Sequence, residues 1–171
     1  MEIELFRKRT KKLLPKSKEL DLWILKGNLL IEEQIVRLIE QGVCEKKYLK
    51  EARLSSHQKI KLAQAMMGGK GFEREWQFIE EINSIRNKLA HRAEVVELST
   101  LVDKSLKPFM SPNFKKSKSK SQRIERLEFC FSVTLGMLSG IEETHARIFS
   151  EPGSLLAWNT ALYHEEVKSQ C

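Results

Sequence analysis

Apolar residues recur every three or four positions along most of this chain, and helix-breaking residues are scarce: 8 glycines and 4 prolines among 171 residues. Side chains three or four positions apart fall on one face of an α-helix, so this spacing dictates helices that each carry one apolar stripe. No alternating apolar and polar runs flank a hairpin dipeptide, and no segment repeats at a period of roughly 20 to 50 residues. A G-x-G-x-x-G turn and a P-loop are both absent from the sequence. The pattern specifies an all-α fold.

The breakers divide the chain. A first long helix is expected from about Ser17 to Gln41, with Ser17 as its cap and Gly42 at its end. Trp23, Leu30, Ile31, Gln34, Leu38 and Ile39 include its stripe, and Gly27-Asn28 interrupts it where another helix can approach closely. A short helix over Cys44–Glu51 follows, then one capped by Ser55 or Ser56 that runs to about Met67. Gly68-Gly69-Lys70-Gly71 breaks the chain ahead of a helix over Glu73–Arg92, and a shorter helix is expected over Glu97–Leu106. KPFMSPNFKKSKSKSQ, residues 107–122, reads as a mobile basic loop. A last long helix spans Arg123–Phe149, with Leu127, Phe131, Leu135 and Leu138 on its core side and Gly136, Ser139 and Gly140 making one side small. Long helices with short connections predict an antiparallel bundle of about four main helices with short extra ones. The expected organisation is a basic N-terminal segment over 1–16, the bundle over 17–150 and an amphipathic tail over 151–171 carrying Leu155, Trp158, Leu162 and Val167.

Charge is placed unevenly. The net charge is +7. Residues 1–18 carry Arg7, Lys8, Arg9, Lys11, Lys12, Lys16 and Lys18 against Glu2 and Glu4, and residues 115–126 carry Lys115, Lys116, Lys118, Lys120, Arg123 and Arg126 against Glu125. The rest of the chain is mildly acidic. Two basic segments on an acidic body attract polyanions without choosing a sequence, so Lys115, Lys116, Lys118, Lys120 and Arg123 are expected to hold RNA loosely. No stretch reaches the apolar length of a membrane span, and MEIELFRKRTKK lacks the apolar core of a secretory signal, so a cytoplasmic location without membrane contact is expected. Cys44, Cys130 and Cys171 are far apart, and none lies at zinc-ligand spacing from a histidine or another cysteine. Reduced thiols, no metal and no cofactor are expected.

The chemistry concentrates at the end of the Glu73–Arg92 helix, in Ile85-Arg86-Asn87-Lys88-Leu89-Ala90-His91. Phe78, Ile82, Ile85 and Leu89 form its core stripe. At 100° per residue, Arg86 lies at the edge of that stripe and His91 about 140° away, so their long side chains can reach a groove beside the helix without lying side by side. An imidazole ordinarily titrates near pH 6.5 and can take or donate a proton near neutrality. A guanidinium can hold two phosphoryl oxygens and offset transition-state charge. Asn87 can orient either partner. The other histidines read as background: His57 as surface or cap, His145 as half of a zinc motif that lacks its second histidine, and His164 as tail surface. Trp23, Trp76 and Trp158 read as core or interface anchors.

Arg86-Asn87-Lys88-Leu89-Ala90-His91 resembles the R-x4-6-H motif of HEPN domains, in the form with a polar residue after the arginine. KIKLAQAM followed by EINSIRNKLAH, and GNLLIEEQIVRLIE in the first helix, look like HEPN proteins of the DUF4145-like and mannitol-operon-repressor-like groups. The resemblance covers about residues 20 to 145. It implies a helical bundle that dimerises so that two motifs face one cleft, and in catalytic members metal-independent RNA cleavage. Arg86, Asn87 and His91 would then carry the reaction, in an endoribonuclease of toxin or phage-defence type. The mannitol-repressor-like relatives imply the alternative, a non-catalytic regulatory or interaction module. An antitoxin or regulatory protein is the partner implied.

Overall fold

The computed structural model describes residues 12–67, 71–91, 97–110 and 116–150, the side chains of 147–150 excepted. These residues form six α-helices and one 3-10 turn: α1 (Leu20–Gln41), α2 (Lys46–Glu51), α3 (Ser56–Met67), α4 (Glu73–His91), α5 (Leu98–Ser105), the turn Lys107–Phe109 and α6 (Lys120–Ser150). The fold is an all-α bundle in which α1, α3, α4 and α6 are the main members.

Its core follows most of the expected stripes, adds Ile24 and Ile35 of α1 to them, and leaves Leu30 and Leu89 only partly buried. Ile24, Ile31, Ile35, Leu38 and Ile39 of α1, Phe78, Ile79, Ile82 and Ile85 of α4, and Leu127, Phe131 and Leu138 of α6 are all essentially inaccessible to solvent. Burying each such side chain contributes about 1.5–3 kcal/mol. Phe78 sits at the centre, edge-on to Phe131 (ring centroids 5.2 Å apart) and to Phe109 (5.5 Å). The Phe109 contact brings the 3-10 turn onto α4. Cys130 is buried in the same core, and burial pushes its thiol pKa up to about 12, so it packs as a neutral group.

Two helix starts differ from expectation. α1 begins after Glu19, not at a Ser17 cap. Ser17 lies ahead of the helix, where its Oγ accepts from the Glu19 N–H at 3.4 Å and its backbone carbonyl accepts a 2.8 Å hydrogen bond from the Trp23 indole. α6 begins at Lys120, inside the segment expected to be a loop. There Ser119 Oγ accepts from the Gln122 N–H and Gln122 Oε1 accepts from the Lys118 N–H, a serine–glutamine pairing close to a capping box. The surrounding lysines and serines hid this start signal. The N-terminal segment up to residue 11 and the tail over 151–171 lie outside the described residues.

Contacts fix the helix directions. α3 and α4 are joined by a short connection and run antiparallel: Lys61 pairs with Glu80, and His57 lies near the C-terminal half of α4. α1 and α6 run in the same sense, with Glu19 on Lys120, Gly27 on Phe131 and Gln34 on Glu142. Everything between them in sequence carries the chain back to the starting end, which permits this arrangement. α1 also runs with α3, from Glu32 on Lys59 to Gly42 on Met66, and therefore against α4. Consequently α4 ends, and α3 and α6 begin, toward the end of the bundle where α1 starts.

Candidate functional site

α4 is started by a local device. Gly71 turns the chain at φ +91°, a backbone region that favours glycine, and its N–H donates to Glu73 Oε1 at 3.0 Å. The Glu73 carboxylate, held by its own backbone N–H and that of Gly71, has its pKa lowered. From this start the helix runs through its core stripe to a last turn that carries Lys88 and His91, where the negative end of the helix dipole favours cations.

Asn87, Lys88 and His91 are all exposed and line an open groove of about 490 Å³ between α3 and α4. Glu80 and Asn83 continue the α4 wall, and His57 comes from the first turn of α3. Arg86 does not line this groove. It is half-buried on the α1 side of α4 and reaches back with Nη1, which donates to Asn87 Oδ1 at 3.2 Å. The structure thus brings Asn87 and His91 together in one groove and couples Arg86 to them through the Asn87 amide.

On the α1 side, Arg86 faces a small charge cluster. Glu32 Oε1 accepts from Lys59 Nζ at 2.9 Å. Burial alone would raise the Glu32 pKa; the hydrogen bond and charge of Lys59, the Ser56 hydroxyl and the charge of Arg86 outweigh it and hold the carboxylate below its usual 4.5. A depressed carboxylate contributes stability that is present above its unfolded pKa and lost as pH falls through the folded one. Wild-type melting temperature is therefore expected to fall more steeply than that of Glu32→Gln between about pH 5 and about pH 3. Parallel curves in thermal melts across that range would show that the cluster adds nothing.

The basic residues divide by role. Arg123 forks onto Asp103, Nε to Oδ1 at 3.2 Å and Nη2 to Oδ2 at 3.1 Å, and also donates to the Ser117 carbonyl. With both side chains largely buried, the pair anchors α6 to α5, and Arg123 has few donors left for RNA. Lys120 pairs with Glu19 at 2.9 Å on an exposed surface, a contact that exchanges readily with solvent. Lys116 and Lys118 are exposed, and Lys115 lies outside the described residues.

His57 is the residue that sequence reading placed in the background and the fold brings to the groove. A signal for it existed: two helices joined by a short connection tend to run antiparallel, which sets the first turn of α3 against the later turns of α4. His145 lies on α6, outside the groove, and burial lowers its pKa. Trp23 and Trp76 are buried in the core, while Trp158 and His164 lie outside the described residues. Among the described residues no cluster of His, Cys, Asp and Glu could hold a metal ion, and no helix is long and apolar enough to cross a membrane.

Comparison of the chain with protein-family models, with curated proteins and with solved structures gives no match.

Proposed function

We propose that this protein is a metal-independent endoribonuclease of HEPN type, with its site on the last turns of α4. The observation that carries the reading is the exposed His91 in a groove with Asn87, while Asn87 accepts a hydrogen bond from Arg86. The ribose 2′-OH attacks the adjacent phosphorus, leaving a 2′,3′-cyclic phosphate and a 5′-OH. His91 moves a proton, and Arg86 offsets charge on the phosphoryl oxygens once a phosphate draws its guanidinium past Asn87. A cytoplasmic homodimer of toxin or phage-defence type, with an antitoxin or regulatory protein as its antagonist, completes the proposal. The test is total RNA incubated with the protein in EDTA, beside His91→Ala. Cleavage that persists in EDTA and disappears in the variant supports the reading.

RNA is held by Lys116 and Lys118, together with Lys115 and Lys120. Replacing all four by alanine is expected to flatten the fall of RNA affinity with salt, by up to about 0.7 in log–log slope for each phosphate that is no longer neutralised. An unchanged slope in filter-binding titrations returns these residues to the solvated surface.

One observation favours a second reading, a non-catalytic regulatory module similar to mannitol-operon-repressor-like proteins. Arg86 helps to balance Glu32 and stands beside the groove rather than in it, as a purely structural arginine would. Equal inactivity of wild type and His91→Ala, both folded, selects that reading.

A further inference from the structure

We propose that His57 is the second imidazole of the site, so that a single chain holds both the general base and the general acid for cleavage of an RNA phosphodiester. The proposal rests on the ribonuclease reading and adds to it a catalytic residue on a different helix.

A reciprocal capping box fixes His57. Ser55 Oγ accepts from the Gln58 N–H, and Gln58 Oε1 accepts from the Ser55 N–H at 2.9 Å, which locks the first turn of α3 around the histidine. The Lys61–Glu80 pair sets the register of the antiparallel helices and puts His57 level with about residue 84. His91 is then two turns further along, about 10 Å on the helix axis. Side chains tilt toward the N-terminus of their own helix, and because α3 and α4 oppose each other the two imidazoles lean toward one another. Both line the same groove. Asn83, on the α4 wall at about the level of His57, is 4% exposed, and its Oδ1 is buried without a hydrogen-bond partner among the described residues.

The two histidines meet opposite ends of helix dipoles. His57 sits in the first turn of α3 and His91 in the last turn of α4. The remaining charged groups at the groove are Glu80 and Lys88 on α4 and Lys61 one turn along α3 from His57, the last already paired with Glu80. In the proposed reaction His57 is the base and His91 the acid. His57 takes the 2′-OH proton as the O2′–P bond forms. The P–O5′ bond breaks, and His91 gives its proton to the departing O5′. The products are the 2′,3′-cyclic phosphate and the 5′-OH, with the protonation of the two rings exchanged. Proton exchange with water restores them, and no metal or other reactant is consumed.

The test uses the full chain in EDTA with an RNA substrate across a range of pH, beside His57→Gln and His91→Gln. His57→Gln is expected to lower kcat by about 10²-fold with KM little changed, and to flatten the limb of the pH profile that the base controls. His57 is exposed, so circular dichroism and melting of the variant should match wild type. A 2′-deoxy dinucleotide, which lacks the attacking hydroxyl, should shift the ring-proton NMR resonances of His57 and His91 together. Should His57→Gln cleave like wild type while His91→Gln does not, the second imidazole is refuted and the ribonuclease reading stands. Should wild type itself leave the RNA intact, both fall.

Discussion

Replacing Gly27 by alanine is expected to destabilise the fold by about 2 kcal/mol, although alanine is the better helix former by about 1 kcal/mol. At Gly27 α6 crosses α1 with a ring against backbone: a Cβ built there would lie 2.1 Å from Phe131 Cζ and 2.3 Å from Cε1. That ring is fully buried and stacked edge-on against Phe78, which is itself wedged against Phe109, so it cannot swing aside without displacing the centre of the core. Overpacking of this kind forces shifts of backbone or rotamer. At this chain length the loss corresponds to a fall in melting temperature of about 4–8 °C. Gly136 on α6 is the control, because an added Cβ there meets nothing within 4 Å. Gly136→Ala should stabilise by up to about 1 kcal/mol through propensity alone. Coupling supplies a second check, since Phe131→Leu should be less costly on the Gly27→Ala background than on wild type. A neutral Gly27→Ala would mean that α1 and α6 do not meet ring against backbone.

The same contact shows what could be read in advance. Gly27 interrupts an apolar stripe, which marks a close helix approach, and the stripe of Leu127, Phe131, Leu135 and Leu138 marks a core face. Nothing local says that these two features meet. Their pairing, and the shared direction of α1 and α6, depend on how the intervening helices return the chain. Helix identity was legible because it rests on spacing within each segment. Helix starts were less so, because a serine hydroxyl can cap the first turn, as Ser119 does, or accept from a backbone N–H ahead of the helix, as Ser17 does from Glu19.

The candidate site divides in the same way. Asn87 and His91 share a helix, so their common exposure could be read from angles alone. Arg86 lies at the edge of the stripe, as its angle requires, yet whether it served the groove or a neighbouring helix depended on Glu32, which is remote in sequence. His57 shows the opposite error: its chemistry was visible, but its place opposite α4 follows only from the α3–α4 turn. Arg123 looked like part of a charge run until Asp103 claimed it. A pattern within one helix thus survives folding, whereas partnerships between helices have to be seen.

Loss of His91 should abolish more activity than any other change that leaves the fold intact. Removing a proton-transfer group typically costs about 10²–10⁴-fold, and His91→Ala is expected to lower kcat within that range, because no neighbouring group on the last turn of α4 can replace it. Lys88 is adjacent but carries no imidazole, and Asn87 does not titrate. The His91 side chain is exposed, so the variant should melt with wild type and separate chemistry from folding. Arg86 is the second arm. Arg86→Ala should cost about 10²–10³-fold in kcat, the loss typical of one oriented donor at a developing charge. Arg86→Lys should recover little, because an ammonium cannot fork across two phosphoryl oxygens while remaining in reach of Asn87. Since Arg86 also helps hold Glu32 charged, the Arg86 variants need the Glu32→Gln protein beside them. If Glu32→Gln cleaves normally while Arg86→Ala does not, the guanidinium acts on the substrate. If both lose activity alike, Arg86 acts by keeping α1 and α4 in place, and the catalytic role returns to the two faces of the groove.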